Sequence, residues 1–162
     1  MSTREPVIRL AEDARDLAAV FVIRGAVFVA EQEVPIEEEW DDRDPGADQF
    51  VALLDGVPVG TVRLVDQGGP GTAPEALAGN GGGRRAGLLG RLAVLPKGRG
   101  SGTGAALVRA VEERARERGF SSVELHAQTH ALRFYERLGY EAYGEEFLDA
   151  GIPHVHMVRR LV

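Results

Sequence analysis

At 162 residues, with 44% hydrophobic and 27% charged side chains, the chain has the size and composition of one ordinary soluble globular domain, residues 1–162, long enough to bury a substantial core. The lack of cysteine excludes disulfides, thiolate metal sites and a cysteine nucleophile, and the net charge of −6 argues against a nucleic-acid partner, which would want a basic face. The start, Met1-Ser2-Thr3-Arg4-Glu5-Pro6, has no apolar signal-peptide core, and no apolar run approaches the roughly twenty residues of a membrane span, so the expectation is a cytoplasmic protein with no membrane partner.

Val7-Ile8-Arg9-Leu10 predicts a first short strand. Asp13 is placed to cap a helix running to about Val29, with Leu17, Val20, Phe21, Arg24, Val27 and Phe28 at helical spacing. An acidic connector follows to Asp48, carrying Glu31, Glu33, Glu37, Glu38, Glu39, Asp41, Asp42 and Asp44. Such a stretch steers a cationic amine toward a cleft, or serves only as a solvated loop. Residues 50–54 and 57–64 form a hairpin about Asp55-Gly56, a pair that supplies the positive φ angles of a tight turn.

The stretch from about 67 to 86 is crowded with Gly and Pro and is expected to be a flexible loop, because it has little apolar surface to bury. A strand over Leu88–Leu95, a helix from Gly104 to about Arg118 ended by Gly119, and a strand over Ser122–Ala127 make a crossover unit. Its two strands should therefore be parallel. A short helix from Thr129 or His130 to Leu138 stops at Gly139, and the stretches 140–147 and 154–161 close the sheet as a final hairpin.

The most informative segment is Lys97-Gly98-Arg99-Gly100-Ser101-Gly102-Thr103-Gly104, a glycine-rich turn between a strand and a helix N-terminus. Glycine lets successive backbone N–H groups converge, and the helix dipole adds partial positive charge, so the turn is built to hold phosphate with Arg99 beside it. A Walker-type loop would end in Gly-Lys-Ser/Thr, whereas Gly104 is followed by Ala105 and Ala106. The dinucleotide fingerprint G-x-G-x-x-G/A fits Gly100, Gly102 and Ala105, with Glu124 as ribose acceptor, but such domains open with that motif and most of this chain precedes it.

The pattern Q/R-x-x-G-x-G/A is met by Arg99-Gly100-Ser101-Gly102-Thr103-Gly104. At this point the chain resembles the GNAT superfamily of N-acetyltransferases. Phe134-Tyr135-Glu136-Arg137-Leu138-Gly139-Tyr140 resembles that family's "FYxxxGF" segment. Ile23 to Gln32, Gly90-Arg91-Leu92, Ala127-Gln128 and Gly151-Ile152-Pro153-His154 are similar to its ElaA-type branch. The resemblance implies an α/β (α+β) fold with a mixed, partly splayed sheet of about six to seven strands flanked by helices, and acetyl-CoA as co-substrate. His154 and His156 alternate on the final strand and share a face, but without a third ligand nearby in sequence no metal is expected.

It also implies roles. Leu92, Ala93 and Val94 would line the pantetheine arm, with an N–H near Val94 as oxyanion donor. Arg99, Gly100, Ser101, Gly102, Thr103 and Gly104 would grip the diphosphate, with Gln128 also on the coenzyme, and Tyr135 would be the general acid toward the thiolate. Arg24, Phe28, Glu31 and Gln32 would line the acceptor side. The alternative for Phe28 is a core position, and for Arg24 an ion pair with the acidic connector. The strand before the turn carries no glutamate, so the base stays open among Glu31, His126 and His154.

The implied activity is N-acetyl or N-acyl transfer to a primary amine of a small molecule or peptide, and a homodimer is among the assemblies allowed. Two alternatives stand beside it. One is an enzyme resembling acyl-homoserine-lactone synthases, whose Arg24, Phe28, Trp40, Asp44 order is comparable; the other is a non-catalytic acyl-CoA sensor.

Overall fold

The computed structural model describes residues 5–79 and 84–161. The strands are β1 (Val7–Leu10), β2 (Asp48–Leu54), β3 (Val57–Asp66), β4 (Ala86–Val94), β5 (Ser122–Gln128), β6 (Glu141–Asp149) and β7 (Ile152–Arg160). The helices are α1 (Ala14–Arg24), α2 (Ile36–Glu39), α3 (Glu75–Ala78), α4 (Thr103–Glu117) and α5 (Leu132–Arg137). Hydrogen-bonded neighbours run β1-β2-β3-β4-β5-β7-β6 in one open, mixed sheet flanked by helices. Among the described residues no helix is long and apolar enough to cross a membrane.

The residues group into two compact units, Met1–Leu64 with Arg91–Val111 and Val65–Gly90 with Glu112–Val162. In the first, Asp13 caps α1 by accepting the Asp16 N–H at 2.8 Å. Val20 packs with Ala11, Val51 and Leu53, which seats α1 on β2. The β2–β3 turn has the expected chemistry, with Asp55 at φ 50° and Gly56 at φ 78°. The start of α4 lies so close to β3 that a Cβ on Gly60 would stand 3.1 Å from Leu107 Cδ1 and 3.2 Å from Thr103 Cγ2.

One helix was expected from Asp13 to about Val29. The chain instead leaves α-helical geometry after Arg24 and makes wide turns over Gly25–Glu31, in which the Gln32 N–H reaches back to the Val27 carbonyl at 3.0 Å. The extra residue per turn keeps Ile23 and Val27 together against Ala93, with Phe28 and Leu95 packed alongside.

In the second unit β4 and β5 pair in parallel, Ala86 with Ser122 through Leu89 with Leu125, a ladder shorter than either strand. β7 pairs antiparallel with β5, and β6 lies outside β7 with an irregularity between Tyr143 and Phe147. The 67–86 stretch was expected to lack the means to order itself. Residues 80–83 lie outside the described residues. Before them, Ala73 and Ala78 are buried against Val158, and the Thr72 N–H and hydroxyl both donate to Glu124 Oε1, at 3.0 and 3.1 Å.

Candidate functional site

In the first unit the glycine-rich turn is tied to β3 at its base. Leu95 N–H donates to the Val59 carbonyl at 2.7 Å, and a Cβ on Gly98 would come within 2.9 Å of Val59 Cβ. Gly100 and Gly102 then take φ of 79° and 81°, the left-handed region, while their missing Cβ atoms would face open space. These two glycines are therefore required by backbone shape alone. Gly102→Ala is expected to lower stability by about 1–2 kcal/mol, the left-handed penalty for an L side chain, read as a shift in denaturation midpoint.

The helix ladder begins with Ala106 N–H on the Gly102 carbonyl at 3.0 Å, so the N–H groups of Thr103, Gly104 and Ala105 precede it. They are the donors a helix start offers an anion. Ser101 and Thr103 hydroxyls meet at 2.7 Å, and Thr103 is buried. Arg99 is not idle beside this cradle. Its Nε donates to the Val94 carbonyl at 2.9 Å and its Nη2 bridges both Glu31 oxygens at 2.8 and 2.9 Å, so Arg99 and Glu31, assigned above to coenzyme and acceptor, meet each other.

Within β4, Ala93 is buried and Leu92 and Val94 are half-buried. Two residues after the end of the β5 ladder, Arg91 takes φ 54°, an uncommon conformation for a non-glycine residue. Its guanidinium explains how that conformation is held, because Nε and Nη2 donate to the Glu39 carbonyl at 3.1 and 2.9 Å. The segment Leu92–Val94 is thereby anchored to the end of α2.

Part of the acidic connector is tied inward: Glu33, Glu37, Glu38 and Asp42 are exposed, whereas Glu39, Asp41 and Asp44 meet internal arginines. Arg24 is fully enclosed and donates to Glu39 Oε1 at 2.9 Å and Asp44 Oδ1 at 2.6 Å. Arg63 donates to Asp41 and Asp44 at 2.7 and 2.8 Å. Burial alone would raise the Asp44 carboxyl; the two guanidiniums outweigh it and hold that group far below the usual carboxylate range. The Arg24 guanidinium is committed to internal carboxylates, the ion pair that stands in sequence as the alternative to lining the acceptor side. Phe28 is half-buried on Ile23, Val27 and Ala93, its core alternative, and Gln32 is half-buried at the end of the wide turns.

In the second unit Tyr135 stands on α5, 8% exposed, with its ring edge-on to Phe134 at 5.0 Å and Tyr140 at 6.0 Å. Burial pushes its hydroxyl well above the usual tyrosine range, so it keeps its proton. Tyr140 donates to Glu112 at 2.9 Å, and Glu112 is ion-paired with Arg159 at 2.5 Å, which fixes the end of α5. Gln128 Oε1 accepts from His130 Nε2 at 2.6 Å.

The β5–β7 register pairs Gln128 with His154 and His126 with His156, so these side chains share one face of the sheet. Phe147 stacks on His156 at 4.4 Å and on His154 at 5.9 Å, while exposed His126 meets Phe147 and His156 edge-on. The shared face of His154 and His156 follows from their alternation in sequence, whereas Phe147 has no such signal, because the irregular β6–β7 pairing hides which β6 residue lies opposite. His154 is buried, and its Nδ1–H donates to the Ile152 carbonyl at 2.7 Å.

The acetyltransferase (GNAT) domain profile matches residues 26–161. The chain is 36% identical over 151 residues to the uncharacterized N-acetyltransferase YjcF of Bacillus subtilis, covering 93% of this chain and 96% of that one. Among solved structures, an acyl-CoA N-acyltransferase from Pseudomonas aeruginosa is similar with a TM-score of 0.75 and 27% identity, over 96% of this chain and 99% of that one. Escherichia coli ElaA shares the fold, with a TM-score of 0.73 and 23% identity over 97% and 99% of the two chains.

Proposed function

Since the chain belongs to the GNAT family of acetyltransferases, we propose that it transfers an acetyl group from acetyl-CoA to a primary amine of a small molecule or peptide. The observation that carries this reading is the turn at 98–104: two left-handed glycines, a cationic side chain and the first N–H groups of a 15-residue helix meet in one short segment. Those donors suit the diphosphate of the coenzyme. The backbone of Leu92–Val94 supplies groups for the pantetheine arm, and an N–H near Val94 polarises the thioester carbonyl, an interaction worth roughly 3 kcal/mol in oxyanion holes.

Tyr135 completes the chemistry as proton donor to the leaving thiolate. Its buried phenol holds a proton throughout the physiological range, and the same burial makes a lasting phenolate costly, so the proton must be replaced as the product forms. The protein acts in the cytoplasm, and the class of its acceptor is an amine. The test is thiol release from acetyl-CoA against an amine panel, with NADH and acetyl-CoA compared as thermal stabilisers. Turnover of an acyl-carrier thioester with S-adenosylmethionine would favour the lactone-synthase alternative, and binding of acetyl-CoA without any turnover would favour the sensor.

Arg99 must exchange partners when a diphosphate arrives, because Glu31 already neutralises it. Glu31→Gln should therefore tighten acetyl-CoA binding, by up to about fivefold if the exposed pair is worth up to about 1 kcal/mol. Isothermal titration reads it. Weaker binding in the variant would assign Glu31 to holding Arg99 in place rather than competing for it.

A further inference from the structure

Transfer to an amine requires a group that takes the proton of the incoming ammonium, because only the neutral amine has a lone pair to attack with. Glu31 pairs with Arg99 through both carboxylate oxygens, and once the coenzyme takes that guanidinium it is the rival base. His126 is exposed and meets its aromatic neighbours by ring edges. His156 has its Nδ1 enclosed without a hydrogen-bond partner among the described residues. His154 is arranged differently.

A carbonyl oxygen only accepts, so the 2.7 Å contact with Ile152 O puts the ring hydrogen of His154 on Nδ1. In the neutral ring the lone pair is then on Nε2, which takes no partner among the described residues. The ring is held on its face by Phe147, and the chain before it is stiff: Ala150 and Gly151 form a tight turn with φ 52° and 75°, and Pro153 fixes the residue in front. A base, an orienting acceptor behind it and a rigid hairpin under it are the parts an activated imidazole needs.

We propose that His154 is the general base of the transfer, with the Ile152 carbonyl as its orienting partner, an inference that rests on the acetyltransferase reading above. The ammonium proton passes to Nε2, giving an imidazolium that keeps Nδ1–H on Ile152 O. The amine lone pair then attacks the thioester carbonyl carbon; a C–N bond forms and the carbonyl π pair moves onto oxygen. When that pair returns, the C–S bond breaks with its electrons on sulfur. Sulfur takes the Tyr135 hydroxyl proton, Tyr135 recovers one from the product nitrogen, and the imidazolium releases its proton to solvent.

The other titrating groups on the elements around this end of β7 are His126 on β5, His130 just after it, Glu145, Glu146 and Asp149 on β6, and His156 on β7 itself. A pH profile alone would not separate them, so the test uses His154→Asn, whose amide nitrogen can take over the bond to Ile152 while no acceptor remains at the Nε2 position. With acetyl-CoA and an amine turned over by the wild type, the variant should lose about 10²–10⁴ in kcat/KM, lose the acid-side limb of the profile, keep its acetyl-CoA affinity and regain turnover with added imidazole.

If the wild type turns over no amine, the acetyltransferase reading itself fails. If the wild type is active and the variant keeps its rate, or slows but keeps the limb, the base assignment alone falls. Should the variant not fold, nitrogen chemical shifts of the wild-type ring decide: the Nδ1–H tautomer is required, and an Nε2–H tautomer overturns the proposal.

Discussion

Arg24→Ala is expected to destabilise the protein by about 3–5 kcal/mol, the cost of leaving buried charges uncompensated, and to lower the melting temperature by roughly 10 °C. The substitution strands Glu39, which is 1% exposed, with Arg91 Nε at 3.2 Å as its remaining cation among the described residues, and it removes a 2.6 Å ion pair from Asp44. Equilibrium denaturation of wild type and variant measures it. A loss under about 1 kcal/mol would mean that the network is solvated in solution.

Acid provides an independent check. The Asp44 carboxyl is held down by Arg24 and Arg63 against its own burial, and Asp41 by its bond to Arg63. A carboxyl depressed in the folded state contributes stability that is fully present above its unfolded value, about 3.9, and is lost as pH falls through the folded value. Wild type should therefore lose stability below about pH 4, and the gap to Arg24→Ala should narrow there. A gap that widened on acidification would contradict the ion-pair origin.

Tyr135→Phe is expected to reduce kcat by about 10²–10⁴ while acetyl-CoA affinity stays the same, since only the hydroxyl is removed and the ring packing against Phe134 and Tyr140 is retained. Single-turnover thiol release beside a binding titration separates the two quantities. Unchanged turnover would reduce Tyr135 to a packing residue of α5.

The elements that could be read from sequence are those whose signals are local. Asp55-Gly56 announces its hairpin, Gly119 and Gly139 mark helix ends with φ 80° and 99°, and the glycine turn before α4 is visible in eight consecutive residues. What escaped depends on partners far along the chain. Arg63 reaches Asp41 across 22 residues and Arg91 reaches it across 50, so Glu39, Asp41 and Asp44 form an internal lattice of charges within a stretch whose Glu33, Glu37, Glu38 and Asp42 stay exposed. Thr72 meets Glu124 across 52 residues, which gives order to a segment with little apolar content of its own.

The candidate site divides in the same way. The glycines and Tyr135 stand in contiguous motifs, whereas the left-handed Arg91 has no local cue, because its conformation is held by a carbonyl on α2. The wide turns over Gly25–Glu31 share their apolar spacing with an ordinary helix, and packing of Ile23 and Val27 on Ala93 decides between them. His154 was one of three candidates for the base on residue type. Only the hydrogen bond to Ile152 reveals which of its nitrogens is free to accept.

The strand at the far border of the sheet has a bearing on self-association. β6 exposes Glu141, Glu145, Glu146 and Asp149 to solvent, and its alignment with β7 breaks near Gly144. A second copy approaching that rim would have to desolvate a row of like charges and follow a kinked backbone, both of which discourage strand-by-strand growth into aggregates. The exposed half of this hairpin thus acts as a gatekeeper of colloidal behaviour while its inner strand carries the imidazoles.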